Sequence, residues 1–130
     1  MIVDSSALVA LLLLEPEAAR LARAIAQVED GKVPMTCYVE ASMVILSRTG
    51  EQGFHNLDLL IMDSRLAVVP FTESQARIAR DAFRRYGKGR HPAGLNFGDC
   101  MAYALARESG EELLFKGTDF ALTDVAVAAY

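Results

Sequence analysis

A chain of 130 residues with a formal net charge of −4, 52% apolar and 23% charged residues and no tryptophan has the composition of one globular domain, residues 1–130, able to bury about two-thirds of its unfolded surface. That balance excludes a disordered chain and a protein coated in basic residues for general nucleic-acid binding, but not a nucleic-acid enzyme, because an acidic metal site holds negative charge until its cations bind. Cys37 and Cys100 show no CxxC-type spacing and are expected to be two buried free thiols of a cytoplasmic protein.

Residues 1–3 read as a short apolar strand, and Ser5 or Ser6 as the cap of a helix through Leu14. The run IVDSSALVALLLL is interrupted by Asp4 and stopped by Glu15-Pro16, with no basic leader and no small-residue cleavage site, so neither a signal peptide nor a membrane span is expected. Glu15-Pro16-Glu17 opens a second helix, with Ala18, Leu21, Ala22, Ile25 and Val28 at helical spacing and Asp30-Gly31 at its end. A second strand is predicted over residues 33–36, helices over 38–48 and 51–63, and a third strand over 66–71. Thr72, with Glu73 and Gln75, begins a helix to Tyr86 whose inner side carries Ala76, Ile78, Ala79, Ala82 and Phe83. The stretch GKGRHPAGL, residues 87–95, is a loop on its glycines and proline. Asn96 caps an alanine-rich helix that runs to about Glu108 and stops at Gly110. A fourth strand over 112–115, a turn with a helical piece over 117–124 and a short fifth strand over 125–129 complete the chain. Strands alternating with helices predict an α/β sandwich, a mostly parallel central sheet flanked by helices.

Open α/β sheets place ligand sites outside the carboxyl ends of their strands. Asp4 closes the first strand, Glu40 follows the second by four residues and Asp119 follows the fourth, while Asp99 opens a helix fed by a glycine-rich loop. Each acid alone has an ordinary structural role available: Asp4 as a helix cap, Glu40 as a first-turn acid, Asp99 as the partner of Asn96 in a capping box, Asp119 as a turn residue. Together they resist that reading, since a carboxylate embedded in MIVDSSALVALL faces a desolvation cost of several kcal/mol. Clustered carboxylates repel, and hard cations such as Mg²⁺ or Mn²⁺, which prefer carboxylate and water oxygens, are the common remedy. No histidine-rich or cysteine-rich set competes for zinc. Such cations acidify a water and stabilise the attacking and leaving oxygens of a phosphodiester.

The segments MIVDSSALVALLL, TCYVEASMV, YGKGRHPAGLNFGDCMAYALA and LLFKGTDFALTDV together resemble a PIN-domain ribonuclease of the VapC toxin type over essentially the whole chain. GKGRHPAGLNFGDC is the most specific part. The resemblance implies a PIN-like three-layer sandwich and an Mg²⁺-dependent endoribonuclease, with Mn²⁺ able to substitute, that hydrolyses RNA by a metal-activated water. It further implies the toxin half of a type II toxin–antitoxin pair, homodimerisation, and inhibition by a cognate VapB-type antitoxin. Position by position, it implies Asp4, Glu40, Asp99 and Asp119 as catalytic and metal-binding acids. A catalytically silent binding module of the same fold is the alternative, and the complete acid set speaks against it.

Around these acids, Asp124 either supports the ligands from behind or ends a turn, and the hydroxyls of Ser6 and Thr118 either orient a ligand or cap a helix. Arg84, Arg85, Lys88 and Arg90 form the one dense basic stretch, placed to contact RNA phosphates or to solvate a helix end. Arg85 and Arg90 have the alternative of pairing with the site's own acids. His91 is expected in a structural loop role. Tyr86 and Phe97 either stack on an unpaired base or, for Phe97 in particular, pack in the core. The run ALVALLLLEPEAARLA carries more apolar surface than its elements can hide, which marks a partner surface. By resemblance, the groove between the early helices receives the antitoxin.

Overall fold

The structure is a computed structural model that describes residues 1–130. Four short parallel strands, β1 (Ile2–Val3), β2 (Lys32–Pro34), β3 (Ala67–Val69) and β4 (Leu113–Leu114), form one sheet in the order β3-β2-β1-β4. Register is set by Ile2 opposite Lys32 on one side and opposite Leu113 on the other, and by Val33 opposite Val68. Six helices flank the sheet: α1 (Ser5–Leu12), α2 (Ala18–Ala26), α3 (Met35–Thr49), α4 (Gln52–Asp63), α5 (Glu73–Tyr86) and α6 (Phe97–Ser109). The expected α/β sandwich with a parallel central sheet is the architecture found.

Local chemistry explains most element ends. Asp4 is extended (φ −77°, ψ 159°) and its carboxylate accepts the Ser6 N–H, so Asp4, not Ser5 or Ser6, caps α1. Thr72 and Gln75 close a capping box on α5, and Asn96 and Asp99 close another on α6. Gly110, left-handed at φ 69°, stops α6. Several ends shift by a few residues, as in α1, which stops at Leu12, α2, which starts at Ala18, and β3, which spans Ala67–Val69; two differences matter more. The strand β2 stops at Pro34 and α3 begins at Met35, three residues earlier than predicted, because Cys37 joins the buried face of the helix with Ala41 and Ile45 instead of extending the strand. Residues 125–129 add no fifth strand; they make a single parallel bridge between Leu113 and Val127.

One hydrophobic cluster joins both sides of the sheet, from Ile2, Val3, Leu8 and Val33 to Leu57, Leu95, Leu113, Leu114 and the inner face of α6. β1 lies inside the sheet, with β2 on one side and β4 on the other, so the direction of the strand order reverses between β1 and β4. That reversal is where an open parallel sheet leaves a crevice at its carboxyl edge, and Asp4 stands there, its amide bonded to the Leu114 carbonyl at 2.9 Å. No helix is long and apolar enough to cross a membrane.

Candidate active site

Asp4 is 2% exposed. Its Oδ2 accepts from the Ser6 amide (2.9 Å) and the Ser6 hydroxyl (2.6 Å), and its Oδ1 from the Cys37 thiol (3.6 Å). Burial, with the charges of Asp4 and Glu40 beside it, pushes the Cys37 thiol well above its ordinary range, so the thiol stays protonated and able to donate. Glu40 sits in the second turn of α3, not the first, and its Oε2 accepts from the Ser5 hydroxyl at 2.8 Å. The same oxygen lies against Gly98 in the first turn of α6, where a Cβ would stand 2.3 Å away. A glycine is therefore the residue that lets α6 bring Asp99 up to Glu40.

Asp99 is locked by its capping box: Oδ2 accepts the Asn96 amide at 2.7 Å, and Asn96 Oδ1 accepts the Asp99 amide at 2.9 Å. Its carboxyl is pushed up to about 6, first by burial and then by the negative charges of Asp4, Glu40 and Asp119, against the lowering effect of the Asn96 N–H. All four predicted acids thus share one electrostatic neighbourhood. Asp119 is exposed at the foot of a 3₁₀ turn (Phe120–Leu122), and its side chain makes no cap bond there.

No three His, Cys, Asp or Glu side chains stand close enough to make a closed metal cage. The donors nevertheless suit Mg²⁺, which keeps several waters and needs only one or two carboxylates: the charged donors are all carboxylates, and Asp99 and Glu40 each tie one oxygen to the protein.

Among the supporting residues, Ser6 links Asp4 to the loop after β4, because its hydroxyl also accepts the Lys116 amide at 3.0 Å. Thr118 is exposed. Asp124 accepts from Tyr103 Oη (2.5 Å) and Arg85 (3.1 Å). Among the basic residues, Arg84 pairs with Asp81 at 2.6 Å and Arg85 with Asp124 and the Tyr86 hydroxyl. Lys88 and Arg90 are exposed and face no acid within ion-pair reach. His91 Nδ1 accepts the Ala93 amide, a bond internal to its loop.

Phe97 is 76% exposed and does not pack in the core; Tyr86 is buried against His91 and Tyr103. The apolar excess is also placed differently from expectation. Within 7–22, Leu14 alone among the large apolar residues is well exposed, whereas Met35, Val39, Met43 and Met62 of α3 and α4 join Phe97 on the surface. Sequence reasoning missed three residues of the site: Ser5, Cys37 and Gly98. The spacing of Cys37 and Glu40, i and i+3 on one helix, is the signal that would have found the thiol.

A parallel sheet with acids gathered at its carboxyl edge defines the class, and the PIN-domain family model matches residues 1–126. Over 126 residues the chain is 52% identical to a protein named Ribonuclease VapC from Mycolicibacterium smegmatis, covering 97% of this chain and 98% of that one. It is 46% identical over 129 residues to Ribonuclease VapC30 of Mycobacterium tuberculosis, covering 99% and 98%. The fold superposes on Mycobacterium tuberculosis VapC20, described as a sarcin-ricin loop cleaving toxin, with a TM-score of 0.80 at 16% identity over 96% of this chain and 95% of that one. It also matches a toxin–antitoxin complex from Klebsiella pneumoniae (TM-score 0.74, 18% identity, 99% and 97% covered). The chain belongs to the VapC ribonucleases of the PIN-domain family.

Proposed function

We propose that this protein is an Mg²⁺-dependent endoribonuclease, the toxin of a type II toxin–antitoxin pair, acting on RNA in the cytoplasm and inhibited by a VapB-type antitoxin. The observation that carries this reading is the close approach of α6 to α3: Gly98 lies against the Glu40 carboxylate, which brings Asp99, held by the Asn96 amide, up to a second anchored acid, an arrangement that a purely structural capping box does not need. Asp4, Glu40, Asp99 and Asp119 would hold the cation. When bound, it would neutralise their charge and supply a nucleophilic water for attack on phosphorus. The chain's own residues do the positioning. Ser6 and Cys37 clamp both oxygens of Asp4, while Ser5 holds one oxygen of Glu40 and Asn96 one oxygen of Asp99. Incubating antitoxin-free protein with labelled structured RNAs, in Mg²⁺ or in EDTA, tests the reading. Cleavage only in Mg²⁺, leaving 5′-phosphate ends, is expected; metal-independent cleavage or 2′,3′-cyclic ends would reject it.

The raised Asp99 pKa gives a pH prediction. The fold holds the carboxyl near 6 against about 3.9 in an unfolded chain, so it favours the neutral form; that stability is fully present below about pH 4 and is lost as pH rises through 6. Mg²⁺ requires the ionised form. The rise in melting temperature on adding Mg²⁺ should therefore be large at pH 7.5 and nearly absent at pH 5, and an equal rise at both would show that Asp99 is not a ligand.

Lys88 and Arg90 are the unpaired cations of the basic stretch, and we assign them the RNA phosphates ahead of Arg84 and Arg85, which already hold acids. Lys88→Ala/Arg90→Ala should raise KM and lower the salt dependence of RNA binding by about two in the log–log slope. An unchanged slope would remove both from the RNA surface.

The homodimer is assigned to the face around Phe97. Its ring stands between two apolar cavities of about 420 and 440 Å³, one edged by Ala76, Phe83 and Met101 and the other by Met35, Val39 and Met43. Phe97→Asp should convert a dimer to a monomer in sedimentation experiments. A dimer that survives the substitution would place the interface elsewhere.

A further inference from the structure

Lys116, the second residue beyond β4, is held at both ends of its length. Its amide donates to the Ser6 hydroxyl (3.0 Å), which itself donates to Asp4. Its ammonium lies between two acids of the connection from α1 to α2, Glu15 at 2.5 Å and Glu17 at 3.6 Å. Glu17 Oε2 is buried and has no hydrogen-bond partner, so the lysine is the one cation that compensates it. The connection is itself set in shape: Leu14 adopts φ +52°, unusual outside glycine, and the Glu15 amide returns to the Ala10 carbonyl at 2.9 Å.

Immediately after Lys116, Gly117 turns the chain at φ +121°, and no side chain holds Thr118 or Asp119. The next anchor is Phe120, buried edge-on against Phe115 with ring centroids 4.9 Å apart. Asp119 therefore stands on a glycine pivot between two fixed points, the Lys116 clamp and the Phe120 anchor.

We infer that Lys116 is a positioning residue for the acid site: by gripping Glu15 and Glu17 it fixes the loop that carries Asp119, and it couples the α1–α2 connection to the carboxylates. The inference rests on the metal-dependent reading of those acids. An ion pair that is about one-third exposed is worth little to global stability, whereas a ligand displaced by about an ångström costs one to two orders of magnitude in rate. The two roles therefore separate in experiment.

The test compares wild type with Lys116→Met, which keeps the aliphatic stem, Lys116→Arg, which restores the charge, and Glu15→Gln/Glu17→Gln, which releases the clamp without touching the loop. Mn²⁺ binding followed by electron paramagnetic resonance is read beside cleavage. Lys116→Met and the double glutamine variant should each weaken Mn²⁺ binding severalfold and lower kcat about tenfold, with KM for RNA unchanged, and move the melting temperature by no more than about 4 °C; Lys116→Arg should recover most of both. Unchanged Mn²⁺ affinity and kcat in Lys116→Met would overturn the inference. A rise in KM alone would also overturn it, by making the lysine an RNA contact. Should wild type bind Mn²⁺ yet cleave no RNA, the nuclease reading fails while the metal measurement still decides the role of Lys116.

Discussion

Replacing Asp99 by asparagine should cut RNA cleavage by about 10³-fold or more, equivalent to about 4 kcal/mol of transition-state stabilisation, while leaving the fold intact. Asparagine keeps an oxygen to accept the Asn96 amide, so the capping box that starts α6 survives. It also removes a half-buried negative charge near Asp4, Glu40 and Asp119. In EDTA at pH 7.5 the variant should therefore be as stable as wild type or more so, by up to about 2 kcal/mol, and the stabilisation by Mg²⁺ should vanish. Urea unfolding with and without Mg²⁺, beside a cleavage assay, measures both arms. An active asparagine variant would remove Asp99 from the chemistry. A variant that loses activity because it unfolds in EDTA would make the cap its only role.

Gly98→Ala should separate function from stability at a position without functional atoms. The new Cβ would stand 2.3 Å from Glu40 Oε2 and 2.7 Å from Cδ and Oε1, so the carboxylate must move and surrender the Ser5 hydroxyl. What moves is the end of a flexible side chain, and alanine is the better helix former by about 1 kcal/mol, so stability should change by no more than about that amount. Cleavage should fall about 100-fold, the effect expected of a displaced ligand. Glu40→Asp in the same background shortens the intruding side chain and should leave the melting temperature unchanged. Full activity in Gly98→Ala would mean that Glu40 is not needed where the structure puts it.

Most of this architecture was legible because it is written locally. Asn96 with Asp99, Thr72 with Gln75 and the glycine at 110 act over a few residues, and the helices they bound are found where those signals lie. Asp4 and Asp99 were legible as site candidates for the same reason, an acid in an otherwise apolar element. Reasoning failed where a residue's role depends on a distant approach. Thr36 reads as the end of a strand and Cys37 as a buried thiol between elements, yet Cys37 turns inward on α3 to meet Asp4, 33 positions earlier. The absence of a side chain at Gly98 has meaning only once Glu40 is known to lie against it. Periodicity could not place Phe97 outside the core. That Arg85 could pair with an acid was legible, but not that the acid is Asp124, 39 residues away.

The pairing of β1 with β4 sets a schedule for the protein's birth. Ser6 and Lys116, which join Asp4 to the loop of Asp119, are 110 positions apart, and at the usual pace of translation roughly 6–20 s separate their synthesis. Until β4 emerges and seats itself beside β1, the first and last acids belong to unconnected stretches of a growing chain. The acid site is therefore a late product of synthesis, complete only once β4 has joined β1.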